Sequence, residues 1–331
     1  MKKRIDIFLF VAVIILILFG IIMIYSASSI WADYKFNDSF YYVKRQLIFA
    51  VIGVFLMILV SKIDYNIYYK KSNTILIICL ILLILVAIPG IGSIRNGSRS
   101  WFGIGSFGIQ PSEAAKLGMI IFTSKYLTNS NKFIKSYKKG VFPILFILFL
   151  FFGLIMLQPD LGTGVILVVS IISLLFVAGV NMKFFIGGGI LGVLGIVILI
   201  LIAPYRMDRI TSFINPWKDP LGTGFQIIQS LYAIGPGGLL GFGFLNSRQK
   251  HFYLPEPQTD FIFSIISEEF GFIGDLVLIL LFITLFYNII KKAINTEDLF
   301  SKYLIFGLVF LMMFQTLLNL SVVVGLVPIT G

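Results

Sequence analysis

Apolar runs of about twenty residues recur along this chain, near residues 7–25, 46–61, 73–90, 113–127, 140–157, 162–180, 184–203, 261–290 and 303–326. A run of that length crosses a bilayer core of ~30 Å as a helix. In lipid the backbone must satisfy its own N–H and C=O groups, which leaves helices or closed barrels. Barrel strands are about ten residues long and alternate in polarity, and these runs do neither. Of the 331 residues, 58% are hydrophobic and 12% charged, about half the charge of an ordinary soluble domain. The expected fold is therefore all-α: a polytopic membrane helical bundle with nine visible spans, the whole of 1–331 forming one integral membrane domain.

The first run follows "MKKRID" and precedes small residues, as in a signal peptide. Its apolar core is too long for a cleaved segment, so it reads as an uncleaved first span. The single cysteine, Cys79, lies inside an apolar run; no disulfide framework is available, and packing is its expected role. The net charge of +11 raises the question of nucleic acid, and its distribution answers it. With the N-terminus inside, the cytoplasmic segments carry more Lys and Arg than the outer ones, and the densest cluster, "KFIKSYKKG", falls inside. That is the bias that orients membrane proteins against anionic lipid. The basic excess reports orientation, and no nucleic-acid partner is expected.

Residues 204–260 form the one long stretch without a span, between spans seven and eight. It is too long for a bare connector and is placed outside. Within it "GFQIIQSLYAIG" reads as an interfacial helix, with Phe225, Ile228 and Tyr232 on one face beside Leu231, and Gln226, Gln229 and Ser230 on the other. The following "GPGGLLGFGF" has no strand–helix unit around it, so it is no dinucleotide fingerprint. Its glycines point to tight turns and close backbone approach, in a re-entrant segment. Gly188 and Gly192 give the small-xxx-small spacing of close helix packing.

Ionisable groups near apolar helices are the informative ones. In "QPSEAAKLG", Pro111 suits a first helical turn, Glu113 suits the helix dipole, and Glu113 and Lys116 are spaced to pair. Arg95, Arg99 and Trp101 stand upstream of them, and Asp160 sits in "LQPDLGTG", where two spans are joined by a few residues. Both sets also read as structural: an ion pair with an interfacial tryptophan, and a turn carboxylate that caps the next helix through its neighbours. The long loop adds Arg206, Arg209, Arg248 and Lys250, and closes on "LPEPQTDFIF", which puts Asp260 at the foot of a span. The lone His251 carries no assignment, and with one His and one Cys remote in sequence no zinc site is expected. Glu268, Glu269 and Asp275 follow on the same span, the first two about 12–14 Å below Asp260 at helical rise. Four carboxylates on one span imply that it borders a polar cavity.

Taken together, "GSRSWFGIGSFGIQPSEAAKL", "LQPDLGTG", "YRMDRITSFINPWKDPLGTGFQIIQSLYAIGPGGLLGFGF", "NSRQKHFYLPEPQTDFIF" and "SEEFGFIG" resemble the SEDS family (shape, elongation, division, sporulation) of bacterial peptidoglycan glycosyltransferases. The long-loop wording is closer to the division and sporulation branch (FtsW, SpoVE) than to the elongation branch (RodA). The resemblance implies ten spans, so the chain, ending in "VVVGLVPITG", is expected to lack the last one. Departures from the family pattern fall at Ser100, Asn215 and Leu245, outside the Asp260 motif.

What the resemblance implies is an inverting glycosyl transfer that polymerises lipid II at the outer face of the bacterial cytoplasmic membrane. Asp260 would be the general base. Arg206, Arg209, Arg248, Lys250 and Lys116 would be candidate counter-charges for the leaving pyrophosphate, while Glu113, Trp101 and Asp160 would orient substrate. Glu268 and Glu269 would be structural, facing the cavity. A divalent cation (Mg²⁺ or Mn²⁺) is expected and no organic cofactor; the partner implied is a single-span class B penicillin-binding protein, besides membrane lipid. Two other functions stay open at this point: a flippase for the lipid-linked precursor, and a non-catalytic division or sporulation scaffold.

Overall fold

The computed structural model describes residues 6–95, 98–103, 108–130, 136–202 and 204–329. Its helices are α1 (Ile7–Phe36), α2 (Tyr41–Lys62), α3 (Tyr65–Ala87), α4 (Pro111–Asn129), α5 (Phe142–Met156), α6 (Leu161–Val177), α7 (Met182–Ile202), α8 (Pro204–Ile214), α9 (Phe225–Gly237), α10 (Ile262–Ile294) and α11 (Leu299–Val323). A small antiparallel hairpin, β1 (Ser93–Arg95) and β2 (Ser98–Trp101), stands between α3 and α4. Among the described residues six helical segments are long and apolar enough to cross a bilayer: α1, α2, α3, Lys139–Met156, α10 and α11. Leu161–Val177 and Met182–Gly195 are shorter apolar helices. The chain is a polytopic helical membrane protein. Large apolar side chains stand exposed along its helices, such as Val51, Phe55, Ile81, Phe146 and Ile190, as lipid-facing surface requires.

Helix starts follow local chemistry. Asp6 caps α1 by accepting from the Leu9 N–H at 3.1 Å, and Asp64 caps α3 through the Asn66 N–H at 2.9 Å. Each side chain satisfies a donor that the helix leaves orphaned. At 30 residues, α1 is about 45 Å long, longer than a bilayer core, and its last turns carry Trp31 and Tyr34.

The chain divides into two compact units. One holds the chain up to Ile63, Gly195–Asn288 and Leu317–Ile329; the other holds Asp64–Leu194 and Ile289–Thr316. The core of the first gathers Met23 and Ala27 of α1, Leu254 of the long loop, Phe261, Phe263, Ile265, Ile266 and Leu278 at α10, and Val323 of α11. In the second, α3 and α4 lie close: a Cβ on Gly118 would stand 2.7 Å from the Cys79 sulfur, and the buried Cys79 thiol donates to the Ala114 carbonyl at 3.4 Å. Cys79 has the packing role expected of it. Ile144, Leu148, Phe151 and Ile155 form the buried stripe of α5, at the three- and four-residue spacing of one helical face.

Three expectations are corrected. The span after Asp260 is not one continuous helix, because Gly271 within α10 has φ 63° and ψ −167°. The glycine-rich segment after α9 runs against this break. Phe242 N donates to Glu268 O and Gly243 N to Glu269 O, both at 2.9 Å, while Phe272 N donates to Gly238 O at 2.9 Å and Ile273 N to Leu239 O at 3.1 Å. The backbone groups released by the break thus find partners, which an apolar surrounding demands. A Cβ at Gly241 would collide with the Glu269 backbone, and one at Gly271 with the Gly241 amide. Close backbone approach is what these glycines provide.

The second correction concerns α9. Its buried residues are Ile227, Ile228, Ser230, Ala233 and Gly237, while Leu231 and Tyr232 are exposed. Ser230, assigned to the polar face, is fully buried, 2.7 Å from the Ser264 hydroxyl and donating to the Val323 carbonyl at 2.6 Å. Small residues turn inward because they let α9 approach α10 closely, which periodicity of hydrophobicity alone does not reveal. Third, nothing lies within 4 Å of a Cβ built on Gly188 or Gly192, so no helix of this chain packs against that pair among the described residues.

Candidate active site

Asp260 lies in the turns that follow residue 250 and stands two residues before α10 begins. Its carbonyl accepts from the Asn319 side-chain amide at 3.1 Å, which ties the position to α11. Just before it, Thr259 donates to the Glu256 carbonyl through both its amide and its hydroxyl. Phe252 (φ 66°) and Glu256 (φ 44°) hold left-handed backbone without being glycine, a strain of the kind that clusters at functional sites. Phe261, next in sequence, is buried. The Asp260 side chain is open to the surface on one side, yet loss of water on the other pushes its carboxyl pKa up. No hydrogen bond or ion pair engages its carboxylate among the described residues.

Further along, α10 carries a buried ionic cluster. Glu268 accepts from the Ser247 hydroxyl at 2.5 Å, the Arg248 amide at 2.9 Å and the Gln249 amide at 3.3 Å. Glu269 accepts from the Lys250 ammonium at 3.0 Å, the Ser26 hydroxyl at 2.5 Å and the Ser247 amide at 3.3 Å. The Lys250 ammonium also donates to the Ser26 hydroxyl at 3.3 Å, and its own amide to the Ser247 hydroxyl at 3.3 Å. The Lys250 and Glu269 side chains are 2% and 0% exposed, so the pair is fully desolvated. Removing one partner of such a pair costs about 3–5 kcal/mol. Asp275 accepts from the Ser267 hydroxyl at 2.8 Å across the break in α10. The polar surroundings expected for this helix are in large part packed protein groups, although the buried Glu269 Oε2 and Asp275 Oδ1 have no partner among the described residues.

Lys250 is committed to Glu269. The Arg248 guanidinium lies over the Phe242 ring at 4.7 Å, and Arg209 donates to the Ile329 carbonyl at 3.2 Å. The side chain of Arg206 lies outside the described residues. Beside the cluster a cavity of about 250 Å³ is lined by Trp31, Lys250, Phe252, Leu254, Pro255, Glu256 and Pro257.

The other sequence-derived residues belong to the second unit. Lys116, 1% exposed, pairs with the half-exposed Glu113 at 2.7 Å, and its ammonium also reaches the Gln315 amide oxygen at 3.5 Å. Asp160 caps α6 by accepting from the Thr163 amide at 3.0 Å, and its other oxygen accepts from the Gln110 side chain at 3.0 Å. Its own side chain, not its neighbours', makes the cap. Ser98 of the hairpin donates to the Gln158 carbonyl, while both polar atoms of the buried Gln158 side chain lack partners. Trp101 is half-buried at the end of β2. Glu113, Lys116, Asp160 and Trp101 thus belong to the second unit, and Asp260, Lys250, Glu268 and Glu269 to the first. Attention to ionisable groups passed over Ser26, Ser247, Gln315 and Asn319. Their signal was a neutral polar side chain in or beside an apolar run.

Comparison with known proteins assigns the whole chain. The FtsW/RodA/SpoVE family model, described as cell cycle protein, matches residues 6–331. Stage V sporulation protein E of Bacillus subtilis (strain 168) is 52% identical over 330 residues, 100% of this chain and 90% of that protein. The probable peptidoglycan glycosyltransferase FtsW of Geobacter sp. (strain M18) is 39% identical over 98% of this chain and 89% of its own length. Among solved structures, a chain of a peptidoglycan synthase complex that coordinates polymerization and crosslinking superposes with a TM-score of 0.75 at 28% identity, covering 95% of this chain and 88% of that one. A mutant of the rod shape determining protein RodA of Thermus thermophilus shares the fold, with a TM-score of 0.71 at 24% identity over 98% of this chain and 88% of that one. This multi-pass membrane protein belongs to the FtsW/RodA/SpoVE family, the SEDS proteins, and is similar to SpoVE and FtsW members of it.

Proposed function

We propose that the chain is a peptidoglycan glycosyltransferase that polymerises lipid II at the outer face of the cytoplasmic membrane, with Asp260 as general base. Kinship to proteins named as FtsW glycosyltransferases supports the enzyme class. The observation that carries the assignment of the base is Asp260 itself: a carboxylate without an ion-pair partner among the described residues, partly desolvated, at the foot of α10.

The acceptor sugar's 4-hydroxyl oxygen attacks the anomeric carbon of the donor. The new C–O bond forms as the bond to pyrophosphate breaks, the electron pair leaves with the lipid pyrophosphate, and the hydroxyl proton passes to Asp260. A hydroxyl is a poor nucleophile until that proton is taken, and a positioned base contributes typically ~10²–10⁴-fold. Pyrophosphate leaves without a proton, so a single base suffices. Its charge calls for cations; Arg206, Arg209 and Arg248 are the loop residues proposed for it, while Lys250 is held by the buried cluster. Among the described residues no group of three His, Cys, Asp or Glu side chains converges as a metal cage. Mg²⁺ commonly binds through substrate phosphates and only one or two carboxylates, so a divalent cation would be held mainly by the pyrophosphate, whose charge it would neutralise.

The membrane arrangement proposed with this function has nine spans in this chain, the N-terminus inside and residues 204–260 outside. The partner proposed is a class B penicillin-binding protein that crosslinks the new strands. This draws support from the likeness to a chain of a peptidoglycan synthase complex. The test is polymerisation of lipid II by the purified protein with a divalent cation: glycan chains from wild type and none from Asp260→Asn would bear the proposal out. Substrate movement without polymer would instead favour a flippase.

A further inference from the structure

We propose that Glu268 and Glu269 are positioning residues for this reaction, which hold Asp260 in place by clamping the segment Ser247–Lys250 onto α10; the inference rests on the reading of Asp260 as the base. The two glutamates grip the long loop twice. Their backbone carbonyls take the amides of Phe242 and Gly243, and their carboxylates take three backbone amides, two hydroxyls and one ammonium from Ser247–Lys250 and Ser26. Ten residues after Lys250 the chain reaches Asp260, and eight residues further it returns to Glu268. Loop, base and helix therefore form a closed circuit that this cluster clasps, while the Asn319 side-chain amide holds the Asp260 carbonyl from α11.

The chemistry of the clasp is specific. Ser247, Arg248 and Gln249 present a hydroxyl and two amides converging on one group, and an ionised carboxylate, with about four lone-pair sites, can accept them all. A carboxamide offers one oxygen and turns two donors toward donors. Buried charge is costly, and apolar residues of similar volume are often as stable or more so; two fully buried glutamates are more than packing requires. Neither carboxylate contacts Asp260, so both act through the loop.

Three variants test this in the purified full chain: Glu268→Gln, the milder Ser247→Ala, and Asp260→Asn as reference. Each is measured for kcat and KM with lipid II, for the acidic limb of its pH–rate profile, for tryptic cleavage after the exposed Arg248, and for its unfolding midpoint in detergent. Glu268→Gln is expected to lower kcat by about 10- to 100-fold, the scale of an ångström-sized misplacement, with KM within twofold, a shifted acidic limb and faster cleavage. Ser247→Ala, which loses one hydroxyl, is expected to lose about three- to tenfold in kcat; it decides the matter alone if Glu268→Gln does not accumulate. Wild-type kcat, acidic limb and cleavage in the folded variants would overturn the proposal, even if the unfolding midpoint dropped, because that is what a purely structural role predicts. Polymerisation by Asp260→Asn would overturn the base assignment instead, so the two failures are distinguishable.

Discussion

Asp260 is held where its charge is disfavoured. Desolvation raises its pKa, which makes it a stronger base than an ordinary aspartate of pKa ~3.9 and fixes two signs. The base must be ionised to act, so the acidic limb of kcat/KM should lie above the ordinary aspartate value and disappear in Asp260→Asn. The folded state favours the neutral carboxyl, so the stability linked to it is present at low pH and lost as pH rises through the raised pKa. Asp260→Asn should therefore unfold at a higher temperature than wild type near neutral pH, and that gain should vanish as pH falls toward the ordinary carboxylate pKa. Lys116 and Glu113 make a contrasting pair. Glu113→Gln strands a buried ammonium whose other partner among the described residues is Gln315; with Glu113 half in solvent, the loss should be about 1–3 kcal/mol. Lys116→Met removes the charge and fills the space, and should cost less; calorimetry or denaturant titration of the two would show the order. At this scale the sequence exposed the ionisable residues and the Glu113–Lys116 spacing. It could not show that Lys250 turns inward, because the partners that draw it there, Ser26 and Glu269, are remote in sequence or were assigned to a cavity.

Elements were legible where hydrophobic periodicity sets them and illegible where backbone geometry does. The long apolar helices lie close to their expected positions, and the glycine-rich stretch was recognised as a place of close backbone approach. The break in α10 was hidden, because "EEFGFIGD" is compatible with a helix until the 238–243 segment supplies partners for the opened backbone. The buried face of α9 was misjudged because Ser230, Ala233 and Gly237 share it with Ile227 and Ile228. Two substitutions separate these glycine roles. Gly241→Ala meets the Glu269 backbone at a position of φ 73°; left-handed strain of roughly 1–3 kcal/mol adds to the clash, and little folded protein should accumulate. Gly192→Ala meets open space in the middle of α7, where alanine favours the helix by about 0.5–1 kcal/mol. Its unfolding midpoint should stay or rise slightly; a marked fall would restore the close-packing role inferred from spacing.

For the whole molecule, composition alone defined a helical membrane protein, and several motifs in combination defined its family. Orientation followed from the bias of Lys and Arg, and accessibility tests it. With Cys79 replaced by Ala, Tyr253→Cys should react with an impermeant maleimide in intact cells, whereas Asn295→Cys, between α10 and α11, should react only after permeabilisation. The division into two compact units was not legible, because the pieces of each unit are interleaved along the chain and no linker marks a boundary. The central claim is that one carboxylate, Asp260, takes the proton in glycan polymerisation. Its most direct test is lipid II polymerisation by purified wild type and Asp260→Asn at matched folded concentration, with lipid II binding measured alongside. The account predicts that Asp260→Asn binds lipid II as wild type does and forms no glycan chains. Chains formed at the wild-type rate by the folded variant would contradict it.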